Sequence, residues 1–271
     1  MSISSFEGQV AAVTGASSGM GQQLAVLLSN AGCHVAIADV NDAGLEETRA
    51  LMSDAIKVSV HHVDVAERHA VEGFARDVVN EHGRVNMVFN NAGVSVTGPV
   101  EQMPIEDMEW LMAINFWGVV YGCKAFLPFL RDATEAAIVN TSSIFGTITV
   151  PGQSIYNASK FAVKGYTLAL RQELLDTHIG VSCVQPGGVK TNIVKDSRFI
   201  PKDNESGSKE EFTAMFEQAA QKTSEEAAEI ILKGVLKNKA RILVGRDAHA
   251  LAWLERLAPS AYMKLTSRFQ G

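Results

Sequence analysis

A tyrosine and a lysine stand four residues apart in Tyr156-Asn-Ala-Ser-Lys160, and the pair Ser142-Ser143 lies just upstream, with Ser143 thirteen residues before the tyrosine. On a helix, four residues is just over one turn, so the phenol and the ammonium share a face. A fixed cation beside a phenol favours the phenolate and lowers its pKa from about 10. A shift of roughly three units corresponds to about 4 kcal/mol. It would let Tyr156 give or take a proton near neutral pH, chemistry suited to an alcohol or carbonyl oxygen. The same spacing also fits an ordinary helix start with a snorkelling lysine, so the pair alone does not show that a hydride moves.

A second candidate site lies near the start of the chain. Val10-Ala-Ala-Val13 reads as a short apolar strand running into Thr14-Gly15-Ala16-Ser17-Ser18-Gly19-Met20-Gly21. The run Leu24-Ala-Val-Leu-Leu28 follows with the spacing of a helix packed on a sheet. Glycines at 15, 19 and 21 permit a tight turn and let the backbone approach a ligand. The helix beyond presents free N–H groups and the positive end of its dipole, a seat for a pyrophosphate. The spacing is G-x-x-x-G-x-G, not the commoner G-x-G-x-x-G, and a glycine turn can also be a turn only. A second apolar strand, Cys33-His-Val-Ala-Ile-Ala38, then ends on Asp39, about where a ribose-binding acid should fall. Together these features favour dinucleotide binding.

With these motifs in view, the chain resembles the short-chain dehydrogenase/reductase family from about Gln9 to Thr191. Thr14 to Gly21 resembles its cofactor turn, and Asn90-Asn-Ala-Gly93 its motif after the fourth strand. Asp64 matches the adenine-contacting aspartate, and Pro186-Gly-Gly-Val-Lys-Thr191 the segment beside the nicotinamide. The resemblance implies a catalytic set of Asn115, Ser143, Tyr156 and Lys160. It further implies cofactor contacts from Gly15, Ser17, Ser18, Gly19, Met20, Gly21, Asp39, Asp64, Val65, Asn91, Ala92, Gly93, Tyr156, Lys160, Pro186, Gly187, Val189 and Thr191. In the roles so implied, Tyr156 is the general acid or base and Lys160 tunes it while holding the nicotinamide ribose. Ser143 steadies the substrate oxygen, with Ser142 the alternative. Asn115 orders a water linking Lys160 to solvent, or satisfies backbone groups, or both. No metal is implied. Homodimers or homotetramers are the expected assembly, built on the helix after Pro104 and the helix of Tyr156.

The wider chain fits this picture. It has 271 residues, 46% hydrophobic, enough for one large α/β domain. Apolar runs at 10–13, 33–38, 56–63, 85–89, 136–140, 179–184 and 241–244 alternate with helical patterns. That predicts a Rossmann-type, doubly wound parallel sheet of about seven strands covered by helices on both faces. A net charge of −6 argues against nucleic-acid binding and against an anionic membrane. Cys33, Cys123 and Cys183 have apolar neighbours and no metal-like spacing, and read as reduced thiols of a cytoplasmic protein. The uncharged stretch 136–159 is broken by polar residues, Gly146 and Pro151, and reads as strand plus loop rather than a membrane span. His61-His62 lacks a third ligand at metal-binding spacing and reads as structural.

Two segments stand apart. Residues 192–223 resemble a substrate lid, with Phe212, Met215, Phe216 and Ala219 on one helical stripe; a surface excursion packed on the body is the alternative. The extension 246–271, with Leu251, Trp253, Leu254, Leu257, Tyr262, Met263, Leu265 and Phe269 among Arg256, Lys264 and Arg268, could cover the substrate entrance, join an interface or rest on a membrane. Internal or interface packing is the expectation. Val94, Val96, Phe145, Ile193, Phe199, Phe212 and Met215 are the expected pocket lining, with no arginine aimed at a carboxylate or phosphate. The substrate expected is a hydrophobic secondary alcohol or ketone, such as a steroid, lipid-like or aryl compound, oxidised or reduced with NAD(H). A 3-oxoacyl-thioester reductase and a non-catalytic NAD(H) sensor or scaffold are the alternatives. Asp39 opposes the first, which would use NADPH, and the intact tetrad opposes the second.

Overall fold

A computed structural model describes residues 2–201, 209–210, 213–214, 218 and 220–263. The expectations on Phe212, Met215, Phe216, Ala219, Lys264, Leu265, Arg268 and Phe269 lie outside the described residues. The strands are β1 (Val10–Thr14), β2 (His34–Asp39), β3 (Val58–His62), β4 (Met87–Asn90), β5 (Val96–Thr97), β6 (Ala136–Thr141), β7 (Ile179–Pro186), β8 (Arg198–Phe199) and β9 (Arg241–Val244). The helices are α1 (Gly19–Asn30), α2 (Asp42–Ala50), α3 (Arg68–His82), α4 (Ile105–Met112), α5 (Gly118–Asp132), α6 (Ser154–Glu173), α7 (Ser224–Leu236) and α8 (Arg246–Leu257).

Seven strands form one parallel sheet in the order β3-β2-β1-β4-β6-β7-β9, as the apolar runs predict. Strand side chains alternate between two cores. Ala11, Val13, Ile37, Met87 and Phe89 meet α1 and α7 through Leu24, Leu28, Ala227 and Ile231. Val10, Ala12, Ala38, Val88 and Ile138 meet α3, α5 and α6 through Phe74, Phe126 and Val163. Burial on both faces is why these strands read as continuous apolar runs rather than alternating ones. The chain winds outward from β1 to β3, returns to β4, and winds the other way to β9. The switch between β1 and β4 leaves a crevice at the carboxyl ends of the strands.

Local signals set the helix ends. The Asn41 carboxamide caps α2 by accepting from the Gly44 N–H at 3.1 Å. Thr223 and Glu226 form a reciprocal capping box on α7. The helix expected after Pro104 contains a π turn at Ala113–Trp117 between α4 and α5. The run Ile105–Asp132 is long and apolar enough to cross a membrane, but its residues Leu111, Asn115, Val119, Phe126 and Leu130 are buried against the body, as in a core helix.

At the sheet edge, Ser59 bridges His61 Nε2 at 2.8 Å and His82 Nε2 at 2.9 Å. His61 packs edge-on against Phe74, and His62 faces Asp42 instead. Burial, then the Lys57 ammonium, pushes His82 down to about 4 from 6.5, with Glu81 opposing and His34 and His61 adding to the depression. Burial likewise lowers His61, against Glu81 and Asp77. Between pH 6.5 and about 4 the unfolded chain therefore binds more protons than the folded one. Stability should fall as pH drops through that window. Melting temperatures against pH would test this: His82→Gln should flatten the acid limb, and an unchanged limb would contradict the assignment.

Candidate active site

A cleft of about 370 Å³ opens at the switch point. Of the residues named from sequence, Gly15, Ser17, Ser18, Gly19, Met20, Asp39, Asp64, Val65, Asn91, Ala92, Gly93 and Thr191 line it. Gly15 has φ +66°, and a Cβ there would lie 2.7 Å from the Ala92 Cα. A Cβ on Gly21 would overlap the Gly15 carbonyl oxygen, so Gly21 shapes the turn from behind without lining the cleft. Ser18 precedes α1 in an extended conformation and makes no side-chain cap, and no acid stands in the first turn. The amino end of α1 thus retains amides and dipole for an anion. These residues fit a dinucleotide.

The Asp39 carboxylate accepts from the backbone N–H groups of Ser17 at 3.1 Å, Val40 at 2.8 Å and Asn41 at 3.1 Å. Three amides hold one anion at the cleft wall. Asp64 accepts from the Ala66 N–H at 2.9 Å and stands farther along the same wall. The Asn91 carboxamide braces the turn instead of only facing the cleft, donating to the carbonyls of Thr14 at 3.2 Å and Gly15 at 3.4 Å.

Ser143, Tyr156, Lys160 and Asn115 gather beyond the inner end of this cleft. Gly93 joins the two regions, since a Cβ on it would stand 3.2 Å from Asn115 Oδ1 and 3.3 Å from Lys160 Nζ. The Lys160 ammonium lies 5.6 Å from the centre of the Tyr156 ring and donates to the Thr141 carbonyl at 3.1 Å. The Asn115 oxygen accepts from the Val94 N–H at 2.8 Å and its nitrogen donates to the Val94 carbonyl at 2.9 Å. Asn115 therefore ties the π turn to the cleft wall, in line with its backbone-satisfying reading. π turns are frequent at functional sites.

The serines separate clearly. The Ser142 hydroxyl donates to the Lys160 carbonyl at 2.7 Å, fixing the start of α6 to β6. Ser143 caps the following turn, accepting from the Phe145 N–H at 3.1 Å, and its hydroxyl is the one beside the phenol.

The expectation of an acidified phenol needs correction. Burial pushes Tyr156 up to about 12, and the neighbouring Ser143 hydroxyl counters only part of that rise. Burial also pulls Lys160 down to about 8. Desolvation disfavours both charged forms. The protein alone thus holds a neutral phenol at neutral pH, a proton donor.

The rest of the site refines the sequence reading. Val94 and Ile193 line the cleft and Phe145 packs edge-on against Tyr156, 6.3 Å between centres. Val96 does not line it: it is wholly buried with Met103 and Leu111, because β5 pairs with β8 and turns it inward. Phe199 belongs to that same strand pair. Trp110, on the helix after Pro104, lines the cleft with Ile114, Asn192 and Asp196. The Arg198 guanidinium lies 3.6 Å from the Trp110 ring centre and pairs with Asp107, which occupies its charge. Residues 186–189 lie behind the cleft wall that Thr191 lines: the Gly187 N–H donates to the Val244 carbonyl at 2.9 Å, and Val189 bridges to Lys222. Pro186, Gly187 and Val189 do not line the cleft itself. Gln185 is wholly buried and donates to Thr147 Oγ1 at 2.8 Å, an anchor of the serine loop with no local signal in the sequence.

The short chain dehydrogenase family profile matches residues 9–199. The chain belongs to the short-chain dehydrogenase/reductase family and is an oxidoreductase of that family. It is 42% identical over 269 residues to SadH of Mycobacterium tuberculosis, covering 98% of this chain and 96% of that protein. It is 38% identical over 192 residues to the 3-ketodihydrosphingosine reductase of Bacteroides thetaiotaomicron, covering 71% and 68%. The crystal structure of a short chain dehydrogenase/reductase from Burkholderia phymatum in complex with NAD superposes with a TM-score of 0.84 at 28% identity, covering 98% and 97%. A nicotinamide cofactor follows from family and fold together.

Proposed function

We propose that this protein transfers a hydride between NAD(H) and a hydrophobic secondary alcohol or ketone of lipid-like, steroid or aryl type. The observation that carries this reading is Gly93, which lines the dinucleotide cleft and also abuts the Lys160 ammonium. Cofactor cleft and proton-handling group are thereby neighbours. Bound nicotinamide supplies the hydride chemistry. The protein's own residues supply position and proton traffic. In reduction, Tyr156 gives its phenolic proton to the carbonyl oxygen while Ser143 donates a hydrogen bond to the charge growing there. In oxidation, the phenol must first lose its proton, and the phenolate then takes the alcohol proton; nearby positive charge from Lys160 favours that phenolate.

The apolar wall of Val94, Ile114, Ile193 and Trp110 supports a hydrophobic substrate. A relative named for 3-ketodihydrosphingosine supports a ketone on a lipid chain. We further propose a cytoplasmic homodimer or homotetramer. Trp117, 47% exposed and stacked on Tyr121, and Phe161, 40% exposed, support subunit contacts through α5 and α6. NADH formation with a panel of hydrophobic alcohols, diols and hydroxysteroids tests the activity, and saturable turnover on none of them would refute it.

Asp39 sets the cofactor. A carboxylate held by three amides accepts from ribose hydroxyls and repels a 2′-phosphate. The native enzyme should prefer NADH to NADPH. Asp39→Ala should move the ratio of kcat/KM values toward NADPH by roughly 10- to 100-fold, about 1.4–2.7 kcal/mol. Native preference for NADPH, or an unmoved ratio in the variant, would contradict this role.

A further inference from the structure

The extension after β9 packs against the segments that flank the reacting end of the cleft. Ala248, Leu251, Leu254 and Tyr262 share a core with Ile144 and Ile148 of the loop that follows Ser143. The Tyr262 side chain is buried, and its hydroxyl accepts from the Thr149 N–H at 3.2 Å and lies 3.1 Å from Thr149 Oγ1. Near the other end of α8, Asp247 Oδ2 accepts from the Gly188 N–H at 2.6 Å. Glycines make room for that carboxylate, because a Cβ on Gly187 or Gly245 would overlap it, and Gly245 takes φ +100°. Asp247 Oδ1 is buried without a hydrogen-bond partner among the described residues. Shape and one amide therefore hold this side chain.

From this geometry we propose that Tyr262 and Asp247 are positioning residues: through Thr149 and Gly188, the extension sets the serine loop on one side of the nicotinamide end and residues 186–191 on the other. The inference rests on the proposed oxidoreductase site. Neither side chain touches the reacting atoms. The serine loop has a second anchor in Gln185, so loss of one hydroxyl loosens the loop without unfolding it.

Two variants and two readouts test the brace. Tyr262→Phe keeps the buried ring and removes the hydroxyl. Amide hydrogen exchange at Thr149 should accelerate at least about fivefold, the equivalent of one lost net hydrogen bond. Turnover number should fall by a similar factor while the NADH dissociation constant stays within about twofold. Asp247→Ala should speed exchange at Gly188 and weaken NADH binding about fivefold or more. Asp247→Asn retains an acceptor oxygen, and recovery of NADH binding in it should show that the hydrogen bond matters rather than the charge. If Asp247→Ala does not fold, the Asn variant and Tyr262→Phe still decide the matter. Unchanged exchange at both amides would overturn the proposal, as would a uniform rise in exchange across the chain, which marks a merely structural role. A native protein that binds no NADH would instead overturn the functional reading, and the exchange data would still judge the brace.

Discussion

Tyr156→Phe should lower turnover by roughly a thousandfold or more while leaving the NADH dissociation constant within a few-fold of native. The phenyl ring can still pack edge-on against Phe145, so the change removes a proton and little else. The effect is large because neither serine can replace the phenol as an acid. Ser142 commits its proton to the Lys160 carbonyl, and Ser143, which accepts from the Phe145 N–H and keeps its own proton, is an alcohol far weaker in acidity than a phenol. Lys160, buried and pulled down to about 8, is directed at the Thr141 carbonyl. Steady-state turnover with a responsive alcohol, beside NADH titration by fluorescence, would decide it. Retention of more than about a tenth of native turnover would reject Tyr156 as the proton donor and acceptor.

Gly21→Ala should weaken NADH binding by about 100-fold, near 2.7 kcal/mol, or prevent the turn from forming. Its Cβ would overlap the Gly15 carbonyl oxygen and come within 2.7 Å of the Asn91 side-chain nitrogen. Gly15 in turn lies against Ala92, so displacement on either side reaches the cleft wall. Gly73→Ala in α3 is the matched control, with only the Arg76 guanidinium within 4 Å. It should bind NADH as the native protein does and gain stability from better helix propensity, about 1 kcal/mol. Calorimetric melting and NADH titration of both variants separate a folding defect from a binding defect. Native-like affinity in Gly21→Ala would contradict the close approach on which the cofactor turn depends.

The sheet and the cofactor turn were legible in the sequence because their signals are local. Each buried parallel strand is an apolar run, and Gly15, Gly19 and Gly21 lie within seven residues of one another. Asp39, at the end of the strand after α1, was legible for the same reason. Trp110 was not, because its place on the cleft depends on Arg198, far along the chain, stacking over it. Val96 was assigned to the pocket because an apolar residue near a site looks the same whether it faces the ligand or the core; the pairing of β5 with β8 decides which. The direction of the Tyr156 shift was misread because the lysine is visible in sequence and desolvation is not. Burial is a property of the assembled site, and there it is the leading influence on the phenol. The links of Asp247 to Gly188 and of Tyr262 to Thr149 span 59 and 113 residues, with no motif to announce them.

The most direct measurement is a crystal structure of the protein grown with NAD⁺. The diphosphate should rest on the first turn of α1 beside Gly15 and Gly19, the adenosine ribose on Asp39, and nicotinamide C4 next to the Tyr156 hydroxyl. Dinucleotide bound elsewhere, or a nicotinamide turned away from Tyr156, would contradict the account.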